Sequence, residues 1–253
     1  MADITDRNQG NVSGEGQVNW RGDQVTVAQG GQSVFDSSSV QLADLGSRKV
    51  VGDRVFRYAK AGVAVSAGAF CRYNGETLVS TAVGGAVTQP AGLKTFTITA
   101  ATAIVKDTYA EGYILCVAGA TDSNLGMIYK IKSNALGSSA GTCVLTLFDE
   151  IKYTVKLTST WRVAQSPYIN VSTSNAAAAD VGVAPIALTT SDFFWLQTWG
   201  PANVYGSGAG GNGLVSSVSG RGSVMVATTG ALLGAYAETL AGAQGLVFLT
   251  IAP

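Results

Sequence analysis

Residues 127–133 read MIYKIKS, with Met127, Tyr129 and Ile131 alternating with Ile128, Lys130 and Lys132. A period of two turns one set toward a core and the other toward water, the pattern of a half-buried antiparallel strand. The same alternation runs through TFTITA at 95–100, where Phe96, Ile98 and Ala100 oppose Thr95, Thr97 and Thr99. It returns in KYTVKLT at 152–158, where Tyr153, Val155 and Leu157 oppose Lys152, Thr154, Lys156 and Thr158. Each of the three predicts a strand. No segment sustains an apolar stripe of helical period beyond about three turns. The nearest candidate, ALLGAYAETLAG at 231–242, contains Gly234 and reads equally well as a pair of strands. Thirty-two glycines among abundant Val, Thr, Ser and Ala supply the turns that many short strands need. The chain is expected to be all-β, an antiparallel barrel or sandwich-like body with an extended N-terminal arm.

Three stretches follow from composition. Residues 1–45 are polar and rich in Gly, Ser and Gln, with one apolar island, VNWRGDQVTV, at 18–27. They are expected to form the arm, which orders against a neighbour through Val18, Trp20, Val25 and Val27. Residues 46–175 are the β-rich body. Residues 176–253 either complete that body or form an oligomer interface.

Charge supports the second role. Sixteen basic and sixteen acidic residues cancel, so no net field draws in nucleic acid or an anionic membrane. Charged residues make up 13% of the chain, against roughly 25% in ordinary soluble domains. From Val163 to Pro253 there are four: Asp180, Asp192, Arg221 and Glu238. So bare a third would leave uncharged, partly apolar surface on a lone monomer, and such surface marks interfaces. The first sixteen residues carry acids and no apolar h-region, so no signal peptide is expected.

The chain contains no histidine. That removes the commonest general base, the commonest zinc ligand and every His-containing triad. Cys71, Cys116 and Cys143 show no CxxC spacing and are expected to be small buried hydrophobes. Neither a catalytic residue, a metal site nor a cofactor site is expected.

Five sequences invite a chemical reading. KVVGDRVFRYAKAGVAVSAGAFCRYNG, at 49–75, mixes cations and aromatics as a nucleic-acid platform would, with Arg54, Phe56, Tyr58 and Lys60 on one face of a strand. It is a single such strand in a neutral chain, so a framework strand that covers an edge or meets a partner is the better reading. GSGAGG at 206–211 matches G-x-G-x-x-G, yet turn and strand chemistry follows it where a dinucleotide site needs a helix. RGD at 21–23 sits between apolar residues in a predicted strand. The adjacent Asp149 and Glu150 would point to opposite faces of a strand, and LFDEIKY reads as a turn between two strands. FFWLQTWGP at 193–201 is the densest aromatic cluster. Phe193, Phe194, Trp195 and Trp199 are expected in the core or at a subunit interface.

Four stretches carry a family resemblance: VVGDRVFRYAKAGVAVSAGAF (50–70), GMIYKIKSN (126–134), FFWLQTWGP (193–201) and the closing LLGAYAE…GLVFLTI (232–251). Over about residues 40–253 the chain resembles tailed-bacteriophage virion proteins, the capsid decoration (cement) proteins above all. The resemblance implies a β-rich homotrimer on the exterior of an icosahedral head, made in the host cytoplasm. Its partners would be further copies of itself and the major capsid protein, with no direct nucleic-acid or membrane contact. Its mechanism would be mechanical, the bridging of capsid subunits against internal pressure. The chain is longer than the small cement proteins. The alternative reading is a receptor- or glycan-binding tail module that stacks sugars on Trp195 and Trp199.

Overall fold

The structure, a computed structural model, describes residues 31–73, 88–99, 102–118, 123–138, 141–156, 159–173, 179–208, 213–216, 224–226, 234–236 and 240–252. Among them there is no helix, and the fold is all-β. Three short strands open the chain: β1 (Arg48–Val51), β2 (Arg54–Lys60) and β3 (Phe70–Arg72). Five follow in the middle: β4 (Thr95–Thr99), β5 (Tyr113–Ala118), β6 (Ile128–Asn134), β7 (Thr142–Leu147) and β8 (Thr160–Ala164). The rest are β9 (Asp180–Val183), β10 (Phe193–Gly208), β11 (Gly213–Ser216), β12 (Val224–Val226), β13 (Gly234–Tyr236) and β14 (Leu240–Thr250). They belong to two compact units, one of Met1–Asn74 with Tyr168–Pro253 and one of Gly75–Pro167. The body expected at 46–175 is therefore shared between the two.

The Gly75–Pro167 unit is one antiparallel sheet in the order β4-β7-β6-β5-β8. β5, β6 and β7 form a meander, and β8 returns to lie beside β5, which is a Greek key. β4 lies on the far side of β7. The alternation seen in the sequence sets the faces. Phe96 and Ile98 of β4, Tyr129 and Ile131 of β6, and Trp161 and Val163 of β8 all enter one buried cluster. Ile128 and Lys132 face out. On the edge strand β4 the Gln89 side chain acts as a surrogate strand: Nε2 donates to the Thr97 carbonyl at 3.1 Å, and Oε1 accepts from the Thr97 N–H at 2.7 Å.

KYTVKLT departs from its expectation. Its described residues, up to Lys156, form no named strand. Val155 is buried and makes an isolated bridge with Gln89, while Tyr153 is exposed. After β7 the chain bends at Phe148–Asp149 and Ile151 pairs with Leu93 and Gly92, so the segment closes the end of the sheet instead of extending it.

In the other unit β10 is the axis. Its first half pairs antiparallel with β2, from Phe193↔Lys60 to Trp199↔Val55, and its second half pairs with β14, from Trp199↔Thr250 to Gly208↔Leu240. β1 lies outside β2, β9 joins β3 to β10, and β12, β11 and β13 continue from β10 round to β14. Among the described residues the pairings between these strands are antiparallel apart from Gly206↔Val224 between β10 and β12. FFWL is buried on both faces, as an unbroken apolar run implies. Phe194 and Leu196 enter a cluster with Ala59 and Val65, while Phe193 and Trp195 enter another with Phe56 and Tyr58.

β2 lies between β1 and β10, in the interior of its sheet. One further expectation is corrected here. Residues 31–45, assigned to the arm, are part of the body: Val34, Ala43 and Leu45 are buried against Phe56 and Trp195, and Ser38 pairs with Phe193 through both backbone groups. Residues 1–30 lie outside the described residues.

Candidate functional site

The basic, aromatic stretch is consumed by its own packing. Tyr58 lies 5.0 Å edge-on from Trp195 and 6.2 Å from Phe193, ring centre to ring centre. The Tyr58 Oη donates to Gln32 Oε1 at 2.9 Å and accepts the Leu42 N–H at 3.1 Å. Gln32 Nε2 in turn donates to the carbonyls of Asp36 and Phe193, at 2.8 and 3.0 Å. Burial raises the Tyr58 phenol above its ordinary range, and the bond from the Leu42 N–H works against that rise.

The cations cover the same rings. Lys49 Nζ stands 5.0 Å from the Trp195 ring centre, Lys60 Nζ 5.4 Å from that of Phe193, and the Arg54 guanidinium within 6 Å of both Phe35 and Phe56. Lys49 Nζ also donates to the Gln32 carbonyl at 2.6 Å. Burial lowers its pKa, and the nearby Asp36 carboxylate partly restores it. A base-stacking platform needs open aromatic faces. Phe56 and Tyr58 are fully buried, so this strand offers none.

Of the expected core or interface residues, Phe193, Phe194 and Trp195 are in the core and Trp199 is half-buried. Trp195 is 1% exposed, which closes both of its faces to a sugar. The arm residues Val18, Trp20, Val25 and Val27, and the RGD at 21–23, lie outside the described residues. Gly206–Gly208 of GSGAGG form the end of β10, opposite Ala243, Ala241 and Leu240, which is strand geometry with no helix to open. Asp149 and Glu150 are both exposed at the bend after β7. Cys71, Cys116 and Cys143 are free and buried. Burial pushes the Cys71 thiol up to about 12, far from the thiolate that reactivity requires. Among the described residues no group of three or more metal-ligating side chains comes together.

What sequence reasoning missed is the outward face of the β10–β14 ribbon. Asn203 stands opposite Leu246, Pro201 opposite Phe248 and Tyr205 opposite Gln244. On the inner face Ala202, Val204, Val247 and Leu249 are buried with Phe70 and Val183. On the outer face Leu246 and Phe248 are each 47% exposed and Tyr205 is 38% exposed. The polar members are already paired: Asn203 Nδ2 donates to Gln244 Oε1 at 2.7 Å, and Gln244 Nε2 to the Ala67 carbonyl at 3.1 Å. No charged side chain occurs in β10 or β14. The run LVFL at 246–249 carries no alternation of apolar and polar residues that would mark one side as exposed.

Comparison with family models, with known proteins and with solved structures finds no match to this chain.

Proposed function

We propose that this protein is a structural component of a virion, a capsid decoration protein that assembles on the outside of an icosahedral phage head and holds neighbouring capsid subunits together. The observation that carries the reading is the outward face of the β10–β14 ribbon, where Tyr205, Leu246 and Phe248 are exposed in the charge-poor third. Exposed apolar surface without charge is what an assembling protein keeps. The cations and aromatics that could have served an anionic ligand are laid over one another inside the body. The family resemblance supplies the phage head as the setting, and the arm residues Val18, Trp20, Val25 and Val27 supply the contact with the major capsid protein.

The alternative, a tail module stacking sugars on Trp195 and Trp199, requires an open Trp195, and that ring lies buried beneath Lys49. The test is co-sedimentation of the purified protein with empty phage heads that lack it. Saturable binding that disappears when residues 1–28 are deleted supports the reading. Retained binding by the deletion, or no binding by the full chain, overturns it. The deletion removes nothing from the described body, which begins at Gly31.

A further inference from the structure

We infer that the outward face of the five-stranded sheet in the Gly75–Pro167 unit binds an acidic polysaccharide, a chain of sugars bearing carboxylates. Arg162, Lys132 and Lys130 meet the carboxylates and Tyr113 lies against a sugar ring. The inference is independent of the reading above, since it concerns a different surface and adds a ligand to it.

Alternation along the strands builds the face. Phe96, Ile98 and Leu145 point into the core, so Thr95, Thr97 and Thr99 of β4 and Thr142 and Thr146 of β7 stand on the other side. On β6, β5 and β8 that same side carries Lys130 and Lys132, Tyr113 and Leu115, and Arg162. Tyr113 is directly opposite Lys130 and diagonal to Arg162, which stands opposite Leu115. The face therefore has a hydroxyl half and a half of cations and an aromatic ring. These groups are uncommitted. Among the described residues Lys130, Lys132 and Arg162 form no ion pair, and the Tyr113 and threonine hydroxyls make no hydrogen bond. Lys130 Nζ lies 5.2 Å from the Phe148 ring centre. The acids of the unit stand apart from the cations: Glu111 is buried, Asp107 accepts the Asn134 N–H, and Asp149 and Glu150 occupy the bend beyond Phe148.

Charge complementarity names an anion, and the Arg162 guanidinium matches the two oxygens of a carboxylate. The hydroxyls choose among anions. A sugar carries hydroxyls that both donate and accept, which is what threonine and tyrosine hydroxyls need. An acidic protein surface would cover them with largely apolar area and leave them unpaired, which is costly. Single-stranded nucleic acid needs successive open rings. Here Tyr113 has no ring or cation stacked on it, but Phe148 is already covered on one side by Lys130. Size agrees with a chain ligand. Four inter-strand spacings span about 19 Å, and strands of five to seven residues run about 20 Å. The resulting area of about 400 Å² is half the ~800 Å² per partner of a standard protein interface. It is ample for a short stretch of polysaccharide.

Isothermal titration calorimetry of the full-length protein at about 50 mM salt, where exposed charges are weakly screened, tests the inference. The ligands are oligogalacturonate, which bears a carboxylate on each sugar, neutral dextran, poly-glutamate and single-stranded oligo-dT. The wild type should bind oligogalacturonate saturably and bind the other three at least about tenfold more weakly. Arg162→Gln, Lys132→Gln and Tyr113→Ala should each weaken oligogalacturonate binding at least about fivefold. Lys106→Gln removes an exposed cation from the loop ahead of β5, outside the sheet, and should leave binding unchanged. Arg162 and Lys132 are surface positions, so thermal midpoints close to that of the wild type are expected and keep the test sound if Tyr113→Ala fails to fold. Three results would overturn the inference: no binding of oligogalacturonate, equally tight binding of poly-glutamate or oligo-dT, or folded variants that bind as the wild type does. A wild type that binds oligogalacturonate through this face but does not bind phage heads would overturn the decoration reading and leave this site standing.

Discussion

Asn203 and Gln244 are diagonal neighbours across the β10–β14 pair, and the Asn203 Nδ2 donates to the Gln244 Oε1 at 2.7 Å. The bond lies on the exposed side of the ribbon, where water could serve either amide equally well, so it adds little to the stability of the isolated chain. Its value appears when the face is covered.

Gln244→Ala is therefore expected to shift the thermal midpoint very little and to weaken assembly on phage heads about tenfold. The orphaned Asn203 amide would be buried unpaired in the contact, at a cost of about 1–3 kcal/mol. Thermal melts paired with co-sedimentation with phage heads check both halves. A large loss of stability with unchanged binding would contradict the prediction.

Gly200 sets the point where β10 passes from β2 to β14. Its φ is +84°, and a Cβ there would run into the Asp53 carbonyl oxygen and approach the Arg54 Cα to 3.2 Å. Gly200→Ala is expected to cost about 2 kcal/mol or more, since left-handed strain alone costs roughly 1–2 kcal/mol. Urea unfolding would register it as a lower midpoint with an unchanged slope.

Trp195 and Trp199 are four residues apart in one strand and carry different weight. Trp195 is buried between Tyr58 and the Lys49 side chain, whereas Trp199 is half-buried at the shift in register. Trp195→Ala should cost about 3–5 kcal/mol, a large part of a typical domain's stability, and Trp199→Ala distinctly less. Equal midpoints in denaturant would show that the Trp195 pocket is not the core of this unit.

Alkaline pH should unfold the protein partly through Cys71. Burial raises its folded pKa to about 12 from an ordinary 9.0, with the Ala184 backbone bond opposing and the Asp180 charge adding to the rise. The unfolded thiol ionises first, so the unfolded state loses its proton while the folded state keeps it. The stabilisation is complete below pH 9.0 and is lost as pH rises toward about 12. Tyr58, raised by burial, adds to the loss above its ordinary 10.0, and Lys49, lowered by burial, works in the opposite direction below 10.5. Cys71→Ala lowers stability at neutral pH through its cavity and flattens the decline between about pH 9 and pH 10. Denaturant midpoints measured across that range compare the two proteins, and parallel curves would remove Cys71 from the account.

Legibility in the sequence followed the range of the interaction. TFTITA and MIYKIKS showed their inward faces through local alternation, and Phe96, Ile98, Tyr129 and Ile131 are in the core. KYTVKLT alternates as cleanly, yet alternation reports an extended, half-buried chain and says nothing of a ladder partner; Val155 finds only Gln89. FFWL was legible as core or interface because aromatic side chains dominate both. The polar stretch 31–45 looked like an arm because its attachment depends on Val34, Ala43, Leu45 and the Gln32 amide, too few apolar residues to signal packing. The exposed ribbon was the least legible. Leu246 and Phe248 are set apart from Val247 and Leu249 only by which face Phe70 of β3 and Val183 of β9 cover, and that packing joins residues far apart in the chain.

The most direct test is the solution mass of the wild-type chain by size-exclusion chromatography with light scattering at several loading concentrations. The account predicts a mass that reaches a multiple of 25.8 kDa as concentration rises, three times that value if the resemblance extends to the trimer. A single species of 25.8 kDa at every concentration would contradict it, because the charge-poor third would then form no oligomer interface.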